Sequence, residues 1–156
     1  MTITGWIAGV SLPRPTPAWE DRSLLAIAVP RDGDGMPPGI TMSRDERRGP
    51  GDPAGEGFAA YVRRQQAVLS ANLPGFQDRA PTPLGAGTSE AGDAFFTWRS
   101  GAISLTQWVV WLAMPDGTVL TYTATSESSR FERHKAVFEA TLRQVGIDAA
   151  TFAARG

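Results

Sequence analysis

Acids, bases, nucleophiles and metal ligands at workable spacings are scarce in this 156-residue chain. The single histidine, His134, lies between Arg133 and Lys135. An imidazole is the usual general base near neutral pH, but His134 falls within a helical pattern and reads as an exposed helix position. One histidine and no cysteine leave no familiar metal-ligand spacing, and they exclude thiolate sites and disulfides. "DGDG", Asp32 to Gly35, has the opening of a calcium loop without the ligand positions that should follow, so it reads as a solvated turn. A carboxylate-only Ca²⁺ or Mg²⁺ site stays open on this reading. "GAGTSEAG", Gly85 to Gly92, leads into a strand where a dinucleotide fingerprint would open a helix. The serines carry no nucleophile elbow. The expectation is a protein that is not an enzyme, with no cofactor and no metal.

Two glutamines are the polar residues whose placement asks for an explanation. In "ISLTQWVVWLAM", Ile103 to Met114, one parity runs Ile103, Leu105, Gln107, Val109, Trp111, Ala113. The other runs Ser104, Thr106, Trp108, Val110, Leu112, Met114. Both are largely apolar, whereas a half-buried strand alternates. Either both faces of this strand are buried, or one is kept for something else to cover. Gln107 interrupts the first parity. Gln65 interrupts the apolar stripe of "FAAYVRRQQAVLSANL", between Tyr61 and Leu69. A buried amide without partners costs about 1–3 kcal/mol, so either residue marks a partner or an edge. Gln65 at the rim of its stripe in water, and Gln107 satisfying a bulge or sheet end, are the plainer possibilities.

The elements that must position these residues are legible. "SLPRPTPAW", Ser11 to Trp19, carries three prolines and reads as an extended lead-in. "SLLAIAVP" and "ITMSRDE" read as two strands separated and followed by loops rich in turn residues. Phe58 to Leu73 reads as an amphipathic helix with Phe58, Tyr61, Val62, Gln65, Val68, Leu69 and Leu73 on its stripe, stopped by "PGF". Arg63, Arg64 and Gln66 occupy its other side. "DAFFTWRS" and "ISLTQWVVWLAM" join at a tight turn at Gly101. "PDG", Pro115 to Gly117, signals a hairpin into the β-branched "TVLTYTATS". Ser128 or Ser129 is placed to cap a final helix with Phe131, Phe138, Leu142 and Val145 inward, ended by Gly146. The order ββ-α-β-βββ-α predicts an α+β sandwich with an antiparallel β-sheet.

Bulk properties narrow the function classes. A formal net charge of -1 and a pI near 5.8 provide no basic excess for nucleic acid. No run of about 18 apolar residues is present to span a membrane. The opening "MTITGWIAGVSLP" lacks the basic and apolar regions of a signal peptide, so a cytoplasmic location is expected.

"WEDRS", "ITMSRDE", "YVRRQQAVLSANLPGF", "TQW", "GTVLTYTATS" and "FERHKAVFEATLRQV" stand in the order typical of the DcrB-related domain, and the chain resembles that family from about Trp19 to Ile147. Cytoplasmic members without a signal peptide resemble the Eag chaperones of type VI secretion, which are similar to this chain in size and in lacking catalytic residues. That resemblance implies a PsbP-like α/β sandwich, a single domain over 19–147 between a lead-in (1–18) and a tail (148–156), and an intertwined homodimer. It implies a groove that shields the N-terminal transmembrane helices of a PAAR-containing effector before loading on the secretion spike, with no nucleic acid bound and no insertion into a membrane. Gln65 and Gln107, with Leu69 beside them, correspond to residues that meet polar atoms of the guest. Leu25, Ile27, Ile40, Met42, Leu105 and Val109 would supply the apolar wall. The opposite parity, Trp108, Val110 and Leu112, would pack beneath the protein's own helices. The alternatives are a small-molecule or lipid-binding module using the same apolar face, and an interaction protein whose second sheet face is a dimer interface.

Overall fold

The computed structural model describes residues 2–4, 11–13, 24–28, 36–46, 56–85 and 90–145. Its strands are β1 (Thr2–Thr4), β2 (Ser11–Pro13), β3 (Leu24–Ala28), β4 (Gly39–Glu46), β5 (Gln77–Asp78), β6 (Ala91–Ser100), β7 (Ile103–Ala113) and β8 (Thr118–Glu127). Helix α1 (Phe58–Asn72) follows β4, and α2 (Phe131–Gln144) follows β8. Six strands form one antiparallel sheet in the order β3-β4-β8-β7-β6-β5, and β1 pairs with β2 separately. The fold is α+β.

The meander β6-β7-β8 forms the centre because its turns are well specified. Gly101 takes φ +62 at the first turn and Gly117 φ +84 at the second, a region L side chains avoid. Asp116 fixes the second turn by accepting from the Thr118 amide (3.0 Å) and hydroxyl.

Register decides which residues share a face. Ile40, Ala124, Trp108 and Phe95 make one row across β4, β8, β7 and β6; Met42, Tyr122, Val110 and Asp93 make the next. Ile40, Phe95, Trp108, Val110, Tyr122 and Ala124 of these rows form the first core with Phe131 and Phe138 of α2, against which Met42, Leu112 and Leu142 pack. Tyr122 donates its hydroxyl to the Phe138 carbonyl at 2.8 Å and ties α2 to β8. On the opposite face Ala94, Phe96, Val109, Trp111 and Val119 pack with Phe58 and Tyr61 of α1, and Val62, Leu69, Leu73, Phe76 and Trp98 surround them. Both faces of β7 are thus covered by the protein's own helices, which is why neither parity of "ISLTQWVVWLAM" is polar. The even parity does lie under a helix, α2, as the pattern suggested.

Some sequence expectations need correction. Neither Ser128 nor Ser129 caps α2: the N-cap is Arg130, with no side-chain cap. Ser128 Oγ instead lies 2.9 Å from both Ser104 Oγ and Thr106 Oγ1, joining the approach to α2 to β7. The proline-rich lead-in includes β2, paired with β1. The "DGDG" turn, Gly146 at the helix end and the tail 148–156 lie outside the described residues, as do 14–19 and 86–89.

Candidate functional site

The face covered by α1 is chemically divided. Its rows across β4, β8, β7 and β6 read Thr41, Thr123, Val109, Ala94, and Ser43, Thr121, Trp111, Gly92. A third runs Thr125, Gln107, Phe96 across β8, β7 and β6. The first two rows pass from hydroxyls on β4 and β8 to Val109 or Trp111 on β7, and the third passes from Thr125 through the Gln107 amide to Phe96. Helix α1 packs on the apolar half, centred on β6. The hydroxyl half has Thr41 exposed, with Ser43, Thr121, Thr123 and Thr125 half-buried. Tyr61 of α1 reaches this half, its hydroxyl hydrogen-bonded to Thr121 and lying 3.4 Å from Asp45 Oδ2 on β4.

Gln107 stands on the boundary. Its Nε2 donates to Thr125 Oγ1 at 2.8 Å, so the half-buried amide is held by its cross-strand neighbour and Oε1 remains as an acceptor. Gln65 and Leu69 are both half-buried on α1, one turn apart. Leu105 is buried at 3% and Val109 at 5%, so both belong to the core more than to a surface.

The proposed apolar wall does not form on one face. Ile40 and Met42 lie with the α2 core. By register Leu25 stands opposite Met42 and Ile27 opposite Ile40, while the side chains of these two β3 residues are outside the described set. Gln107, Leu105, Val109, Gln65 and Leu69 belong to the α1 side. With side chains alternating at period two, the pairing register alone decides whether two strands present the same parity to one face. Sequence pattern cannot give that register. The structure therefore puts Leu69, Gln107 and Val109 on the α1 side, with Gln65 half-buried on that helix, and it separates them from Ile40 and Met42.

Three features were not singled out from sequence. Gln66, placed with Arg63 and Arg64 on the outer side of the helix, reaches the sheet: its Nε2 donates to the Asp93 carbonyl at 3.0 Å. Asp93 is itself buried, and its Oδ2 accepts from Trp108 Nε1 at 2.9 Å and from the Leu84 amide at 3.1 Å. Trp98, half-buried on the α1 side, has a fully enclosed Nε1 with no acceptor among the described residues. The spacing of Thr121, Thr123 and Thr125 was the available sequence signal for the hydroxyl half; nothing comparable marks Trp98.

Helix α1 is anchored beside this face. Tyr61 is 1% exposed, with its hydroxyl 3.4 Å from Asp45 Oδ2. Burial, then the negative charge of Asp45, pushes its phenol up to about 12. Arg64 pairs with Glu56 and lies 5.2 Å from the centre of the Tyr61 ring. Between the start of α1 and the edge of β6 lies an open cleft of about 390 Å³, lined by Phe58, Val62, Gln66, Thr82 and Gly92 among others. Among the described residues no cluster of three or more His, Cys, Asp or Glu could hold a metal ion. No helix there is long and apolar enough to cross a membrane.

The DcrB family model matches residues 10–144. The chain belongs to the DcrB family. Among solved structures it is similar to PA94 from Pseudomonas aeruginosa, described as a protein of unknown function with a suggested regulatory role. The TM-score is 0.69 at 22% identity, over 93% of this chain and 96% of that one. This likeness shows that the two chains share a fold over nearly the whole of each. No curated relative matches by sequence.

Proposed function

We propose that this DcrB-family chain is a chaperone, or adaptor, for the apolar N-terminal transmembrane helices of a PAAR-containing type VI secretion effector. It holds them out of water until the effector is loaded on the spike, as a cytoplasmic homodimer without catalytic turnover. The observation that carries this reading is the divided second face. Helix α1 covers the apolar half and reaches Thr121 through Tyr61, Gln107 stands beside Thr125 on the sheet, and Gln65 and Leu69 are half-buried on the helix.

The hydroxyl half suits a membrane helix. Such helices associate less through oily burial than through close packing on small residues and hydrogen bonds from Ser, Thr, Asn and Gln. A floor of threonines, with an amide at its margin, reproduces that environment. Leu69 and the partner copy would supply apolar cover, each Å² of which contributes about 25 cal/mol. Co-expression tests the proposal. An effector's N-terminal helix pair, insoluble when produced alone, is expected in the soluble fraction bound to this chain. A pair that remains insoluble and unbound refutes the proposal.

A second reading rests on a different feature. The 390 Å³ cleft beside Phe58, Val62 and Gln66 has the size of a small-ligand site. Native mass spectrometry of the purified protein would show a retained small molecule or lipid if this is the functional cavity, and an unliganded mass if it is not.

A further inference from the structure

We infer that Trp98 is a recognition residue of this face, its indole N–H kept for a polar side chain of the guest helix. The inference rests on the chaperone reading above and specifies what the guest must carry.

An indole N–H only donates. Buried without an acceptor, it costs about 1–3 kcal/mol relative to a satisfied group, so a native protein retains such an orphan for a reason. Trp98 Nε1 is such an orphan, and Trp108 provides the contrast within the same sheet. The Trp108 indole points to the α2 side and is satisfied by Asp93 at 2.9 Å. Trp98 is on the α1 side, where Phe76, Leu73 and Leu69 offer no acceptor side chain.

Its position gives the orphan a use. Trp98 pairs with Leu105, two residues from Gln107, and Phe96 beside it pairs with Gln107. Trp98 and Gln107 are therefore diagonal neighbours on one face, within the reach of long side chains. Gln107 has its amide nitrogen committed to Thr125, and its Oε1 accepts. One donor and one acceptor on diagonal neighbours fit a group that both accepts and donates. In a membrane helix that is a hydroxyl or a carboxamide: Ser, Thr, Asn or Gln. The Trp98 ring is only half-buried, so a side-chain rotation can present the N–H to a helix lying along the hydroxyl strip. The guest is thereby specified as an apolar helix with one polar residue in its middle turns, and a uniformly apolar helix is the poorer client.

Two synthetic peptides test this with the full-length protein. Both are 20-residue leucine–alanine helices flanked by lysines, one with a central serine and the other with alanine there. The wild-type chain is expected to bind the serine peptide roughly fivefold to tenfold more tightly. Trp98→Phe, which keeps the ring and removes the N–H, is expected to erase that preference while still binding the alanine peptide. Its melting temperature should be unchanged or higher, since the orphan has been removed. In the wild type the Trp98 indole N–H resonance should move on addition of the serine peptide only. A preserved preference in Trp98→Phe, a lowered melting temperature with preference intact, or a static indole resonance would overturn the inference and leave the chaperone reading standing. Failure of both peptides to bind would remove the chaperone reading and the inference with it.

Discussion

At the scale of single residues, the strongest polar commitment among the described residues is Asp93. Its carboxylate collects the Trp108 indole N–H and the Leu84 amide in a buried setting. Removing it strands both donors, so Asp93→Ala is expected to cost about 1–3 kcal/mol per donor left unpaired, read as a lower midpoint in urea. Asp93→Asn keeps a carbonyl oxygen and should lose markedly less. The two tyrosines of the chain make a second prediction. Burial raises both phenols to about 12, with Asp45 adding to the effect at Tyr61. An unfolded tyrosine ionises near pH 10, so above that pH the unfolded chain gives up protons that the folded one retains. The stability these residues contribute is complete below about pH 10 and is lost as pH rises towards about 12. Absorbance at 295 nm should show no tyrosinate at pH 10.5 in the folded protein. Tyrosinate appearing there while circular dichroism is still native would contradict the burial assigned to both rings.

At the scale of elements, α1 begins without a cap. Gly57 at its N-cap has φ -63 and ψ 154, the extended geometry a capping residue adopts, and no acidic residue follows in the first turn. A Cβ there would meet nothing within 4 Å. Gly57→Asp should therefore stabilise by about 0.5–1 kcal/mol, through the cap, the helix dipole and a less flexible unfolded chain. A rise in the urea midpoint checks it, and a fall would mean that the start of α1 is held by something a side chain disturbs. Elements were also what the sequence revealed best. The three- and four-residue spacing from Phe58 gave α1 to within a residue, and "PDG" gave the β7–β8 turn. The strand expected between α1 and the meander is the two-residue β5, while the small β1–β2 pair escaped because so few residues carry no periodic signal. Gln66 was placed on the wrong side because a helix stripe blurs at its margins, and only docking shows which margin reaches Asp93.

At the scale of the whole molecule, the informative quantity is the registration of strands against each other. The strands themselves were visible in the sequence, yet nothing local tied the parity of β4 to that of β7. The register puts Ile40 and Met42 under α2, and it puts Thr41 and Ser43 in line with Val109 and Trp111 under α1. The result is one face with an oily half that α1 occupies and a hydroxyl half that it touches through Tyr61. The fold class followed from the order of elements; the character of the candidate site followed only from pairing.

The claim that this hydroxyl half receives a guest helix can be tested directly because the chain has no cysteine. Single cysteines at Thr41 on the hydroxyl strip and at Val137, 51% exposed on α2, carry a photo-crosslinker in otherwise native protein. With an effector helix pair co-expressed, the account predicts a crosslink from the Thr41→Cys protein and none from Val137→Cys. Equal capture from both positions, or capture from Val137→Cys alone, would contradict it.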